Sequence, residues 1–389
     1  MLQDKICYEN TKVKQVAYAD DLAGAGKITD LKKWWNSVTK HGPKIGYIPN
    51  AAKSVLIVKP ELYEHAIHAF SDSEVVITKE GQRHLGAVIG TQEFKKEFVN
   101  KKVAEWIQEV SILSEIAKTE PHAAYAAYTH GLQHKWNFVM RTIPDISHLL
   151  VPLENIIKNT FLPAITKLFT CTDNERGLLA LPPRMGGMGI TLPVERANEE
   201  NVNSINLTRS LTEKIVAQDA HGEIDQNVIK EVKKNISRAR QQAQKNTLEH
   251  LKGNLPAVRV RKVLAAQETG ASNWLTSLPI RAKGFSLNKQ EFIDAVSLRY
   301  DLPVEGLPNT CVCGSSNNVN HTMICKTGGF VCIRHDEVRD LTASMLREIC
   351  HDVKTEPELL SLEGEHFQYR TANTTNEARV DISARGFWM

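Results

Sequence analysis

Helical periodicity in the middle of the chain constrains the fold more than any other feature of the sequence. Residues 92 to about 290 of the 389 carry apolar side chains near helical spacing, as at Val103, Trp106 and Val110. The first of these segments is expected to end before Pro121. Because this pattern covers about half of the chain, the sequence predicts an α+β fold that is mostly helical.

Composition places the chain among ordinary globular proteins. Apolar residues make up 42% and charged residues 24% of the chain, and the net charge of +3 is too small to identify a nucleic-acid partner. The start "MLQDKICYEN" lacks the features of a signal peptide, and no apolar run approaches the roughly 20 residues of a membrane helix. Scattered cysteines favour a reducing compartment. The prediction is an intracellular protein without a membrane partner, either nuclear or cytoplasmic.

Two adjacent acids, Asp20 and Asp21, lie between a strand-like run at residues 13–18 and the turn-forming Gly24 and Gly26. A hairpin would hold both carboxylates at its tip. Because like charges this close repel each other, the pair favours a bound divalent cation such as Mg²⁺ or Mn²⁺. The alternative interpretation is a solvated acidic turn.

Later segments give the acidic pair a context. "YADD" at 18–21, "GYIPNAAKS" at 46–54 and "HLGAVIG" at 84–90 follow one another, with a helical pattern at 28–46 between the first two. In this order they resemble the palm of a reverse transcriptase, and the further course of the chain resembles non-LTR retrotransposon proteins.

The resemblance implies an RNA-directed DNA polymerase that uses two metal ions, Mg²⁺ or Mn²⁺. Asp20 and Asp21 would be metal-binding catalytic residues, and Lys53 would assist the leaving pyrophosphate. The implied partners are an RNA template and a DNA primer or target. In that family a third metal-binding aspartate precedes this pair, whereas only 19 residues precede Asp20 here. The expectation is therefore a palm truncated at its N-terminus and inactive alone.

Two groups of basic residues are candidate contacts with nucleic-acid phosphates. One lies at the start of the first long helix and, by resemblance, in a polymerase thumb; the other lies in the most basic part of the chain. The alternative for both groups is an ordinary solvated helix face. The candidates are Lys95, Lys96, Lys101 and Lys102 in the first group, and Arg238, Arg240, Arg259, Arg261 and Lys262 in the second.

A cysteine–histidine cluster is a second candidate metal site. Cys311, Cys313, His321 and Cys325 follow the pattern C-x-C-x₇-H-x₃-C, which offers four soft ligands to a tetrahedral Zn²⁺. Nearby Cys332 and His335 are spare ligands, so the set of four can shift. The alternative is a group of buried, reduced cysteines. Similar knuckles follow the polymerase in several non-LTR retrotransposons, where they are thought to bind nucleic acid.

The final segment, "EARVDISARGFWM", resembles the beginning of a restriction-endonuclease-like domain. By this resemblance Asp381 would be the first metal ligand of a nuclease, with Glu356 or Glu377 as a weaker candidate. The strand expected to carry the remaining acid and lysine does not follow it. The alternative makes Asp381 a surface or capping residue.

Together these features divide the chain into five expected segments. The function expected is that of a reverse-transcriptase fragment, with a non-catalytic nucleic-acid-binding remnant, or a decayed gene product, as alternatives. The segments are a partial palm (1–92), a helical thumb (93–175), a helical connector (176–300), a zinc knuckle (301–335) and a truncated nuclease-like segment (336–389).

Overall fold

The computed structural model describes residues 2–168, 171–219, 225–358 and 379–387. The mostly helical α+β class expected from the sequence is confirmed. The chain divides into two compact units, Met1–Leu302 and Pro303–Met389. The assignment of palm, thumb, connector, knuckle and nuclease segments stays a prediction.

Helices form most of the first unit. In chain order they are α1 (Leu2–Glu9), α2 (Ile28–His41), α3 (Tyr63–Ala69), α4 (Gln92–Ala117), α5 (Pro121–His130), α6 (Asn137–Thr142), α7 (Val151–Ile156), α8 (Leu162–Thr166), α9 (Asp173–Ala180), α10 (Pro193–Ala217), α11 (Gln226–Asn254), α12 (Ala257–Ala265), α13 (Asn273–Thr276) and α14 (Lys289–Tyr300). A π-helical turn, Ile157–Phe161, joins α7 to α8.

The strands of the first unit form three separate two-stranded ladders within the described residues. β1 pairs with β2 and β5 with β6, both antiparallel, whereas β3 and β4 are parallel and connected through α3. The sequence did not reveal α3 and β4. The strands are β1 (Lys14–Tyr18), β2 (Asp21–Ala25), β3 (Val55–Ile57), β4 (Val76–Thr78), β5 (Gly81–His84) and β6 (Ala87–Gly90).

The predicted acidic hairpin is present, but its turn lies elsewhere than expected. Tyr18 pairs with Asp21, so Ala19 and Asp20 form the turn, and Ala19 adopts a positive φ of 54°. Gly24 instead lies within β2, where an added Cβ would come 3.2 Å from the Trp34 ring. The glycine serves close packing of α2 on the hairpin, and the prediction that it turns the chain was wrong.

The outer edge of β1 is held by a side chain from the end of α10. The amide of Gln218 donates to the carbonyl of Gln15 at 3.0 Å, and its oxygen accepts from the Gln15 backbone N–H at 2.9 Å. The Gln15 side chain in turn accepts a hydrogen bond from Trp34 Nε1 at 2.9 Å. A glutamine thus takes the hydrogen-bonding position of a neighbouring strand.

Two apolar cores stabilise the first unit. A small one lies between α1, α2 and α3 and includes Trp34, Trp35 and Val38, as the helical pattern at 28–46 predicts. The large one extends from Val88 to Tyr300 and is centred on α4. Thr91 caps the start of α4, since its hydroxyl accepts the N–H of Phe94.

The second unit contains two helices and one β-ladder within its described part. Helix α15 (Val319–Ile324) precedes α16 (Phe330–Arg347), and β7 (Cys350–Thr355) pairs antiparallel with β8 (Ile382–Phe387). Among the described residues after Leu302, the buried apolar side chains are Cys325, Ala343 and Cys350. So small a core cannot supply much of the free energy of folding.

Candidate metal centre and nucleic-acid interface

A tight turn presents the first two ligands of the cysteine–histidine cluster. The N–H of Cys311 donates to the carbonyl of Ser315, and the N–H of Gly314 returns to the carbonyl of Cys311 at 2.8 Å. Gly314 has a φ of 83°, which its lack of a side chain permits. The turn brings the sulfur atoms of Cys311 and Cys313 to one side of the loop.

Helix α15 presents the other two ligands. Asn318 caps the helix by accepting the N–H of His321 at 2.8 Å. His321 and Cys325 are four residues apart and therefore lie on the same face of the helix. The two short elements form a knuckle that faces all four side chains toward one point.

The four ligand atoms form a compact group. They all lie within 4.8 Å of one another, with Cys311 Sγ 3.6 Å from Cys325 Sγ and Cys313 Sγ 3.2 Å from His321 Nε2. A tetrahedral metal site with ligand bonds of about 2.0–2.3 Å requires such separations. These residues can therefore hold a metal ion such as zinc.

Electrostatics within the cluster favour one thiolate before any metal arrives. Hydrogen bonds from Ser315, first from its side chain and then from its backbone, lower the pKa of Cys313 to about 6. Because a metal ligand must be deprotonated, this thiolate is ready to coordinate a cation near neutral pH.

The spare ligands take no part in the cluster. Cys332 is exposed on α16, and His335 points to two carboxylates, with Nε2 3.3 Å from Asp381 and Nδ1 3.3 Å from Asp336. Of the described residues, only Cys311, Cys313, His321 and Cys325 form a group with metal-binding spacing. The structure thereby favours the first set of four over a shifted set.

The acidic hairpin exposes both carboxylates. Asp20 and Asp21 are exposed, and Tyr47 lies close enough that burial, then Asp21, then Asp20 raise the pKa of its phenol. Lys53 is exposed on a short 3₁₀-helix that Asn50 caps. No third carboxylate, histidine or cysteine joins the two aspartates in a metal-binding group in the described part of the chain. The structure thus gives no support for a Mg²⁺ site here.

The glycine-rich loop after α9 offers no cradle for a phosphate. The backbone N–H groups of residues 185–190 all donate to carbonyls of residues 179–183. Its carbonyls are used as well, since Arg299 donates to Pro183 and Gly187, and the Tyr125 hydroxyl donates to Met188 at 2.7 Å. The loop is a packed part of the large core.

Basic candidates fall into two classes by their partners. Lys102 pairs with Glu105, Arg259 with Glu175 at 2.8 Å, and Arg240 with Glu199 and Glu200, each at 3.0 Å. These three therefore have structural ion pairs. The remaining candidates have no ion pair among the described residues; they are Lys95, Lys96, Lys101, Arg238, Arg261 and Lys262.

Helix α11 carries a basic row of which only Arg238 is among the candidates named from the sequence. Lys230, Lys234, Arg238 and Lys245 are exposed, and their spacing of four, four and seven residues places them on one face. Only Leu248 and Leu251 of this 29-residue helix are buried, so the row lies clear of the core. We call these four residues the α11 basic row. Helical spacing of the lysines was the signal that could have revealed it.

The nuclease candidates lie in a charged group of the second unit. Asp381 precedes β8 and pairs with His335, whereas Glu356 is bound by Arg339. Hydrogen bonds to Asp336 and then to Asp381 raise the pKa of His335. Glu377 lies outside the described residues. The role of Asp381 as a nuclease ligand stays a prediction.

Comparison with known proteins provides no family for this arrangement: neither a protein-family model nor a curated protein matches the chain. Among the described helices, none is both long and apolar enough to cross a bilayer.

Proposed function

We propose that the chain is related to the reverse transcriptases of non-LTR retrotransposons and that its 389 residues bind nucleic acid without extending a primer on their own. The observation that carries the binding proposal is the α11 basic row. Its four cations span the 16 residues from Lys230 to Lys245, or about 22 Å of helix, which corresponds to about six phosphates along one strand of a duplex. Contacts of this kind read the backbone and not the base sequence.

A binding titration at several salt concentrations tests this proposal. Fluorescence anisotropy with a labelled RNA hairpin and with a DNA duplex should show affinity that falls linearly on a double-logarithmic plot against salt. Replacing Lys230, Lys234, Arg238 and Lys245 together by glutamine should reduce the slope by about three to four for the duplex. The control replaces four exposed lysines outside the row, Lys12, Lys40, Lys59 and Lys283, and should leave most of the slope. An equal reduction of the slope in both variants would show that the α11 basic row does not contact the nucleic acid.

The knuckle is proposed to bind one Zn²⁺ that stabilises the second unit. Three thiolates and one imidazole are the donors that zinc prefers, and a loop this short folds around its metal. Elemental analysis should find one zinc per chain, and Cys325→Ser should lose it. Cys332→Ser is the matched control, because Cys332 is outside the cluster.

Polymerase chemistry is the second candidate, and the acidic hairpin favours it. The hairpin carries two exposed carboxylates at a β-turn, as the resemblance implies. Two-metal catalysis also requires ligands that hold both ions at a fixed separation, and the described residues add none to the pair. Primer extension with Mg²⁺ or Mn²⁺ is therefore expected to give no product. Extension that disappears in Asp20→Asn would instead establish the chain as an active polymerase.

A further inference from the structure

Helix α16 leaves one apolar face exposed to solvent. Val338, Leu341, Met345 and Ile349 expose 61%, 64%, 63% and 43% of their surfaces, the last lying just past the end of the helix. Their spacing of three, four and four residues places them in one row. We call them the α16 apolar row. Contiguous exposed apolar side chains on a globular protein mark a contact surface.

The opposite face of α16 is already anchored to its own unit. Ala343 is fully buried, and Arg339 binds Asp336, Asp340 and Glu356. Asp336 and Asp340 lie on α16 itself, so the helix is held to its unit by packing against β7 and by the Arg339–Glu356 ion pair. The apolar row takes no part in these contacts. A surface presented on a fixed helix loses little conformational entropy when a partner binds.

Charges at the two ends of the row identify the kind of partner. Arg334 lies seven residues before Leu341 and Glu348 seven residues after it, two helical turns in each direction. Neither has an ion pair among the described residues. Val338 and Met345 lie three residues before and four after Leu341. The row is thus nearly symmetric about Leu341 in its apolar groups and has opposite charges at its ends.

We propose that the α16 apolar row is the contact surface of a homodimer in which two α16 helices cross in antiparallel orientation. A two-fold axis near Leu341 places Val338 against Met345 of the partner subunit and Arg334 against Glu348 of the partner subunit. An isologous contact requires such self-complementarity. A parallel arrangement would instead place like charges together at both ends.

Sedimentation equilibrium of the zinc-loaded full chain measures this association directly. The wild-type chain is expected to dimerise reversibly, and Leu341→Glu should raise the dimer dissociation constant at least tenfold, since it places two carboxylates at the axis. Because Leu341 is exposed in the subunit, the variant should fold, as far-UV circular dichroism can verify. Ile112→Glu is the control: Ile112 is also exposed, at 56%, but lies on α4 of the first unit and outside the α16 apolar row.

Charge reversal tests the antiparallel arrangement. Arg334→Glu alone should weaken the dimer severalfold, and Arg334→Glu combined with Glu348→Arg should restore it. A monomer at every concentration up to about 100 µM would overturn the proposal and would show that the α16 apolar row does not bind a second copy of the chain. A dimer that survives Leu341→Glu would also overturn it, and a double reversal that does not recover would overturn the antiparallel arrangement.

Discussion

At the residue scale, a buried carboxylate connects three helices of the first unit, which the sequence does not indicate. Glu200 is 3% exposed and accepts hydrogen bonds from Arg141 at 2.9 Å, from Arg240 at 3.0 Å and from Arg196. Three arginines from α6, α10 and α11 therefore meet at one carboxylate. Burial by itself would raise the pKa of Glu200, but the hydrogen bonds from Arg141 and Arg196 outweigh it, and the pKa lies below the ordinary 4.5.

Replacing this carboxylate should destabilise the first unit. Glu200→Gln is expected to lower the free energy of unfolding by about 2 kcal/mol, because the arginines lose charged hydrogen bonds, although Arg141 and Arg240 are partly solvated. Glu199→Gln is the control and should cost less than about 1 kcal/mol, since Glu199 is an exposed pair partner. Urea unfolding at pH 7 measures both.

The same carboxylate gives a pH dependence of known sign. Because the folded-state pKa is depressed, the stabilisation is complete above about 4.5 and is lost as the pH falls through the folded value. In urea titrations between pH 3 and pH 6, Glu200→Gln should therefore approach the wild-type stability at the acidic end. A constant difference over this range would contradict the assignment.

Gly187 lies so close to the backbone of Leu178 and Leu181 that no side chain fits at this position. A Cβ at this position would lie 1.9 Å from the Leu181 carbonyl oxygen and 2.6 Å from that of Leu178. Gly187→Ala must displace the loop from the core and is expected to destabilise by about 3 kcal/mol or more. Gly253→Ala near the end of α11, where nothing lies within 4 Å, should be neutral or slightly stabilising. Thermal unfolding of both variants compares them.

At the element scale, local sequence patterns predicted several helices and strands correctly. They could not predict which residues distant in the chain contact one another. The hairpin, α2, α4 and the knuckle follow from alternation, helical periodicity, capping and ligand spacing. Sequence patterns missed the short α3 and β4. They also could not show that Arg299 reaches a loop more than a hundred residues away, because burial of an arginine depends on partners distant in sequence.

The packing of α14 against α5 depends on a neutral histidine. Nδ1 of His122 accepts the N–H of Leu287 at 3.1 Å, the ring stacks on Phe292, and Nε2 has no partner among the described residues. Burial lowers the pKa of His122 below the ordinary 6.5. The packing is therefore fully stabilising above about pH 6.5 and weakens as the pH falls, because the unfolded chain binds the proton more tightly.

A substitution at this histidine should flatten that pH dependence. Between pH 7.5 and pH 5.5 the wild-type free energy of unfolding should fall more steeply than that of His122→Gln, which does not titrate. Urea titrations at four pH values determine the slopes. His65→Gln, on the exposed side of α3, provides the control and should retain the wild-type slope. Equal slopes for wild type and His122→Gln would exclude this role.

At the scale of the whole molecule, the two units are stabilised by different means. Both apolar cores belong to Met1–Leu302, whereas the described part of the second unit has few buried apolar side chains and a metal-binding cluster. The sequence predicted that cluster because its ligands are close in the chain. It did not predict the contrast between the units, which arises from contacts between residues far apart.

Removing the metal should unfold part of the second unit and leave the first unit folded. A chelator is expected to reduce the helical signal in circular dichroism by the contribution of α15 and part of α16, because the knuckle folds around its metal. Tryptophan emission should change little, since five of the six tryptophans lie in the first unit. A large change in emission would show that the first unit also depends on the metal.

Gln218 has a consequence for how copies of this chain behave in solution. An unpaired strand edge can add a strand from another molecule, which is a common start of aggregation. At Gln15 that position is filled by the Gln218 carboxamide, so a foreign strand must first displace it. The end of α10 thereby protects the β1 edge of the acidic hairpin, at Gln15, against intermolecular β-pairing.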